Sequence, residues 1–335
     1  MNKLFLFILP IILFFNCAKK ETDNKKFSLL ALAYIMNQNN KLPIYINFVS
    51  HNEESTSAGD PDYAVQSVYV SSRNLVKQMA DTIYSKGGKW NYQSDWKFLL
   101  SIKNYEPNGS SDINNKNLIR YLKEDKNFEV DPHAHETTYN YADVAKLISD
   151  LGVEPSKNVG GFVYDETSAT KTWERMQNSL SSSQVSIPSY SWKPETLWGA
   201  ASKSHTNDDK SFGAWKPKSP TEFTTHDSTK NLGYMGSGCK NLVTSTSKSS
   251  DHIAVVKKVI DNVQNGTYPK TGFYPITIMM NQRDFSANTI QTVSDILDGL
   301  KEYSDKGYIQ WKTITEKKSI WINSFKSENT RIPCD

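Results

Sequence analysis

The sequence carries no excess of either charge: 39 lysines and arginines face 36 aspartates and glutamates. A balance that close lacks the basic footprint of a nucleic-acid-binding chain. There is no internal repeat, and no low-complexity tract beyond Ser/Thr patches, which excludes a solenoid. The one long apolar run, residues 4–15, is about a dozen residues long and short for a membrane span. Cysteine is rare at three residues, and histidine at six. Core-forming residues are not rare. Of 335 residues 37% are apolar and 12% aromatic, with eight Trp and seventeen Tyr, which excludes wholesale disorder.

Residues 128–152 organise the rest. Phe128 and Val130 begin an apolar–polar alternation that reads as a strand. Tyr141, Val144, Ala145, Ile148 and Leu151 then recur at helical spacing, and Gly152 stands where a helix C-terminal glycine belongs. Between them run Asp131-Pro132-His133-Ala134-His135-Glu136. In an extended segment residues i and i+2 point the same way, so both imidazoles can face one point. Two imidazoles flanked by carboxylates at a strand end suit a metal or an acid–base site.

The same strand-then-helix order recurs along the chain. Residues 43–49, 89–93 and 159–164 read as strands, and 71–85, 114–124 and 167–180 as helices. Residues 187–243 break the pattern; rich in Pro, Gly, Ser, Thr and Trp, they read as a functional insertion with short strands. Order returns with a helix at 250–263, a strand at 274–280, a helix at 286–303 and a strand at 308–313. This alternation predicts α/β units around a parallel sheet.

Parallel α/β sheets and barrels gather their strand C-termini on one face, where active sites sit. The residues just past the strands are Ser50-His51-Asn52-Glu53, Ser94-Asp95-Trp96, His133 and His135, Asp165-Glu166, and Asn281-Gln282-Arg283-Asp284. His51, Glu53, His133 and His135 are borderline donors that suit one divalent cation, Zn²⁺ foremost. Asp131, Asp95 and Glu136 are candidates to orient the imidazoles. In a metal-free carbohydrate site, Glu53, Glu166 and Asp95 would instead supply an acid and a base. Trp192, Trp198 and Trp215 are candidate sugar-stacking surfaces. His205 and His226 in the insertion could cover the site as proton donors.

On these residues the chain resembles the carbohydrate deacetylase (NodB-homology) superfamily, over roughly residues 41–321. The resemblance implies a distorted (β/α) barrel of about seven parallel strands, here with a long insertion after the fourth strand–helix unit. That superfamily opens with a Thr-Phe-Asp-Asp-Gly run whose first Asp is a base and second a metal ligand. Here the matching place reads Phe48-Val49-Ser50-His51-Asn52-Glu53, so His51 or Glu53 would replace them. The family's two histidine ligands lie at i and i+4; His133 matches the first, Thr137 holds the second place, and His135 is the substitute. The implied activity is metal-assisted hydrolysis of a carbohydrate, N- or O-deacetylation first. In that version Asp95, Glu166 or His205 would serve the leaving group; the alternatives are a metal-independent glycoside hydrolase, with Glu53, Asp95 and Glu166 as its acid and base candidates, and a non-catalytic carbohydrate-binding protein. Asn281 and Arg283 would hold the sugar, Arg283 by its bidentate fork.

The N-terminus resembles a bacterial lipoprotein signal: Lys3, the apolar run, then Phe14-Phe15-Asn16-Cys17. The expected organisation is a signal peptide at 1–16, a tether at 17–40, one barrel domain at 41–325 with insertion 187–243, and a tail at 326–335. Lipid on Cys17 would place the protein in the cell envelope, anchored to a bacterial membrane. Cys239 and Cys334 are then left as a disulfide pair in an oxidising compartment. The anchor predicts that a Cys17→Ser chain leaves the detergent phase on partitioning, since acyl chains alone hold it there; a variant that still partitions with membranes contradicts it.

Overall fold

The computed structural model describes residues 41–53, 61–136, 138–160, 173–184, 188–198, 211–219, 222–236, 238 and 242–334. The expected signal peptide, the tether with Cys17, and Glu166, His205 and Cys239 lie outside the described residues. β1 (Ile44–His51) is buried along its whole length, as a central parallel strand covered on both faces must be. Helix α1 (Gln66–Ser85) presents Tyr69, Val76, Met79, Ala80 and Ile83 on one buried face. β2 (Trp90–Ser94) is followed by α2 (Trp96–Tyr105), whose first turn is capped by the Asp95 carboxylate accepting from the Phe98 amide at 3.0 Å. Then come α3 (Leu118–Arg120), β3 (Glu129–Pro132), α4 (Tyr141–Asp150) and β4 (Asn158–Gly160). An Asn140–Asp143 capping box starts α4.

The irregular stretch holds α5 (Trp173–Met176), β5 (Leu180–Ser181), β6 (Ser191–Trp192), β7 (Thr196–Trp198), β8 (Ser211–Phe212), β9 (Ala214–Trp215), β10 (Gly233–Met235) and β11 (Leu242–Val243). After it come α6 (Ser249–Gln264), β12 (Tyr274–Asn281), α7 (Ala287–Asp305), β13 (Gln310–Trp311), α8 (Ile314–Phe325) and β14 (Ile332–Pro333). Among the described residues no helix is long and apolar enough to cross a membrane.

The central sheet runs β11–β12–β1–β2–β3, all parallel, with β13 pairing the start of β1. A second sheet runs β4–β7–β10–β9, of which the first three strands are parallel. A bridge from His133 to Gly160 joins the two sheets. The result is a mixed α/β fold with a parallel sheet curved into a distorted barrel. The expected short strands of residues 187–243 do form, and β7, β10 and β11 among them complete the wall.

Two sequence expectations need correction. Residues 114–124 are not one helix: Asn114 and Asn115 adopt left-handed φ of 58° and 55°, and Asn117 caps a fresh start at Leu118. Within 173–180 the helix covers only Trp173–Met176. Helices α2 and α8, which the sequence reading did not assign, are regular.

The ladder registers show what faces inward. Val49 lies beside Asn91 and Met279, and His51 beside Gln93 and Asn281. Asn91 lies beside Glu129, and Gln93 beside Asp131. With a period of two, Asn47, Asn91, Gln93, Glu129, Asp131 and Asn158 line the barrel interior. They bond one another: Asn47 Nδ2 donates to Asn91 Oδ1 at 2.9 Å, and Asn91 Nδ2 to Glu129 Oε2 at 2.6 Å and Asp131 Oδ2 at 3.0 Å. Asn158 Nδ2 reaches Glu129 at 3.1 Å, and Thr313 Oγ1 donates to Glu129 Oε1 at 2.8 Å.

Near the C-terminus, Cys334 is disulfide-bonded; Cys239, its expected partner, lies outside the described residues. Gly238 donates its amide to Ser211 and Ile332 pairs with Phe212, so the chain just before each cysteine meets β8.

Helix α8 closes the barrel with Ile314, Lys317 and Trp321 buried on one face. The Lys317 amine is wholly buried, donating to Asn47 Oδ1 at 2.5 Å and to the Ile276 carbonyl at 2.7 Å. Burial pushes its pKa well below the usual 10.5. Between the folded and unfolded values only the unfolded chain holds this proton, so the stability due to Lys317 rises with pH up to 10.5. Lys317→Met removes that slope: unfolding midpoints of wild type and variant, measured at neutral and at alkaline pH, should converge or cross in favour of wild type as pH rises. Parallel curves would refute the buried amine.

Candidate metal centre

β1 and β3 end side by side, and their inward parity carries the site. His51 closes β1; Glu53 follows at i+2 and returns to the same side. His133 continues β3 past Pro132, its amide bonded to the Ser94 carbonyl at 3.0 Å and its backbone bridged to Gly160. His135 follows at i+2, before Glu136 at a left-handed φ of 56°.

The four predicted donors converge. The His51 and His133 rings lie 4.5 Å apart between centroids, and those of His133 and His135 lie 5.1 Å apart. The Glu53 carboxylate sits among them: Oε1 is 3.6 Å from His51 Nδ1, and Oε2 is 3.2 Å from His133 Nε2 and 3.1 Å from His135 Nε2. One donor atom each from His51, Glu53 and His133 fall within 4.8 Å of one another. His135 is partly exposed and stands at the rim.

The donor set fits a cation on its geometry. Four ligands about 2.0–2.1 Å from a tetrahedral ion stand about 3.4 Å apart, and the Glu53-to-imidazole separations straddle that spacing. His51 Nε2 and His133 Nδ1 are buried without a hydrogen-bond partner, so each ring has one nitrogen turned to the cluster and one turned away. Burial, then the neighbouring His51, lower the His133 pKa to about 4 against the opposing pull of Glu53, leaving a neutral ring with a lone pair to offer. Burial alone would push the Glu53 carboxyl up; His133 first, then the hydrogen bonds from the other imidazoles, hold it well below the usual carboxylate range.

The mouth of the site is a narrow recess lined by His51, Glu53, Pro61, Tyr63, Asn281 and Arg283. Asn281 pairs with His51 across the ladder, and Arg283 follows on a 3-10 turn. Both predicted substrate-binding side chains therefore stand at the site. Pro61 and Arg283 also line an adjoining groove of about 340 Å³, bounded by Ser67, Ser72, Leu75 and Phe285.

Other expectations fail on burial. Trp192, Trp198 and Trp215 are at most 5% exposed, so none can offer a face to a sugar. Each anchors its indole N–H in the interior, to Ser156 O, Thr277 Oγ1 and Phe223 O respectively. Trp198 does touch the site: it packs edge-on against His51 at 5.5 Å. Asp95 is a fully buried helix cap, not an acid or base at the site. Asp131 orients no imidazole; it accepts from Asn91, Gln93, Ser156 and Asn158 in the layer beneath. Glu136 pairs with Arg175 of α5. His226 accepts from the Lys216 amide within its own hairpin. Sequence reading passed over Tyr63 and Gln93; for Gln93 the signal was its place two residues before Asp95 on the inward parity.

No family model matches the sequence, and no curated protein matches it. Solved structures do match. One described as a "probable polysaccharide deacetylase", from Pseudomonas aeruginosa PAO1, superposes with a TM-score of 0.52 at 10% identity, over 84% of this chain and 91% of that one. Puue allantoinase superposes with a TM-score of 0.52 at 9% identity, over 84% of this chain and 91% of that one. A 4-alpha-glucanotransferase from Thermococcus litoralis gives a TM-score of 0.48 at 13% identity over 82% of this chain, which spans 40% of its length. The chain thus has the (β/α) barrel fold of the polysaccharide deacetylase type.

Trp215 is a core residue, so Trp215→Ala should cost about 3–5 kcal/mol of stability, as large-to-small core changes do. A normal unfolding midpoint for the variant would contradict that placement.

Proposed function

We propose that this protein is a carbohydrate-active hydrolase, most specifically a metal-dependent polysaccharide N- or O-deacetylase. The observation that carries the reading is the convergence of His51, Glu53 and His133 at the strand ends of a deacetylase-type barrel. The nitrogen and carboxylate donors favour zinc. The proposal includes export and a lipid on Cys17, which would bring the site to a cell-envelope or extracellular glycan.

When bound, the cation supplies Lewis acidity to the acyl oxygen and to the attacking water. The remaining work falls to side chains. His51 and His133 would hold the cation through ring nitrogens, and their burial keeps bulk water from competing. Glu53 completes the ligand set or takes the water's proton, and its reach to every imidazole suits either role. His135, at the rim and 3.1 Å from Glu53, is placed to hand a proton to the leaving group. Asn281 and Arg283 orient the substrate at the mouth.

The test begins with protein purified without chelator or nickel resin. The expected result is one equivalent of tightly held zinc, with acetate released from acetylated glycans. His133→Ala should lose both. Glu53→Gln separates the two roles of Glu53: retained metal with lost turnover assigns the base, and lost metal assigns the ligand. A wild-type chain that binds no divalent cation refutes the metalloenzyme, and glycan cleavage by such a chain would favour the carboxylate-only glycoside hydrolase.

A further inference from the structure

Gln93 is fully buried beneath the candidate metal centre, and its carbonyl oxygen has no hydrogen-bond partner. The orientation of the amide follows from its neighbour. Nε2 donates to Asp131 Oδ2 at 3.1 Å, an oxygen that also accepts from Asn91 Nδ2, and the unpartnered atom is the acceptor Oε1. That oxygen lies against Gly160, where a Cβ would stand 2.0 Å from it. Gly160 is the residue that bridges to His133. The His133 ring turns Nε2 toward Glu53 and leaves Nδ1 buried and unpartnered. A desolvated acceptor and a desolvated ring nitrogen therefore occupy neighbouring strands at the same end of the barrel, each costly to leave unbonded.

Resting on the metal reading above, we propose that Gln93 is a positioning residue for the cation site. Its Oε1 accepts the proton on His133 Nδ1 when the cation is held. That bond makes Nε2 the lone-pair nitrogen and aims it at the cluster. Ligating imidazoles generally need an acceptor on the other nitrogen, a carboxylate or a carbonyl. Asp131, the carboxylate one pleat below His133, is already taken by four donors. The amide carbonyl of Gln93, buried without a partner and set against Gly160, is an acceptor open to that ring. The same arrangement accounts for glycine at position 160: a side chain there would displace the amide.

The full-length chain, stripped of metal, is titrated with Co²⁺ and followed by its visible absorption. Gln93→Leu removes the acceptor at similar volume and should weaken Co²⁺ about ten- to hundredfold. Gly160→Ala, which keeps the amide but pushes it aside, should weaken it in the same direction. Gln93→Glu retains an acceptor and should stay within about threefold of wild type. Asn158→Ala loosens the same polar network without facing an imidazole; it should lower the unfolding midpoint and leave Co²⁺ affinity alone. Gln93→Leu binding as tightly as a wild type that takes up one ion overturns the role of Gln93. So does Asn158→Ala weakening Co²⁺ as much as Gln93→Leu. A wild-type chain that takes up no Co²⁺ instead overturns the metal reading on which the proposal rests.

Discussion

The inward face of the central strands is polar, and the rest of the structure answers to that constraint. Small parallel barrels normally fill their interiors with layers of branched aliphatic side chains. Here Asn47, Asn91, Gln93, Glu129, Asp131 and Asn158 take many of those places, all of them buried. Buried polar groups are costly unless bonded, so the strands are held in one register by the bonds their side chains must make. A slip of one residue would turn every one of these groups toward the apolar layer under the helices. The cluster of His51, Glu53 and His133 is the top of this column, and it inherits its geometry from the layers beneath.

The column is closed below by α8, whose Lys317 enters it as an amine. It bonds an amide oxygen and a backbone carbonyl, not a carboxylate. Glu129 and Asp131, stacked one pleat apart, are therefore balanced by amides and hydroxyls. Burial first, and then Glu129, raise the Asp131 pKa to about 7. An interior built this way gains specificity from many directed bonds, at the expense of the transfer energy an aliphatic core would supply. The second sheet supplies the apolar counterweight: Trp198, Ala214 and Met235 pack with Val49 and Trp321 in a cluster of their own.

Much of this was legible in the sequence, for reasons that residues make plain. The pairs 51/53 and 133/135 could be placed because two-residue spacing at a strand end fixes a common direction. The parallel order could be placed because β1 and β12 are unbroken apolar runs. Helix α8 was not visible because its buried face reads Ile314, Lys317, Trp321, and a lysine at the centre hides the period. Asp95 misled because a carboxylate just past a strand serves equally as a cap for the next helix. The three tryptophans misled because composition does not say whether an indole face meets solvent or core. Gln93 was passed over because Asn91 and Gln93 alternate with Trp90 and Tyr92, a pattern that reads as the solvent side of a strand.

The departures from the deacetylase pattern weigh less than they look once donors are counted. The family pattern offers one carboxylate from the first strand and two imidazoles, spaced i and i+4, from a later one. This chain offers His51 and Glu53 from β1 and His133 from β3. The totals are the same, two neutral nitrogens and one carboxylate, and so is the charge left on a divalent ion. Only the strands that deliver them have changed. What has no counterpart is the family's first aspartate, the base. Among the described residues within reach, Glu53 already touches every imidazole, and His135 is the one ring at the rim, joined to Glu53 at 3.1 Å. Retained hydrolysis would therefore place the proton-handling on the Glu53–His135 pair. The strained backbone at Glu136, directly after His135, marks where the chain bends to bring that ring in.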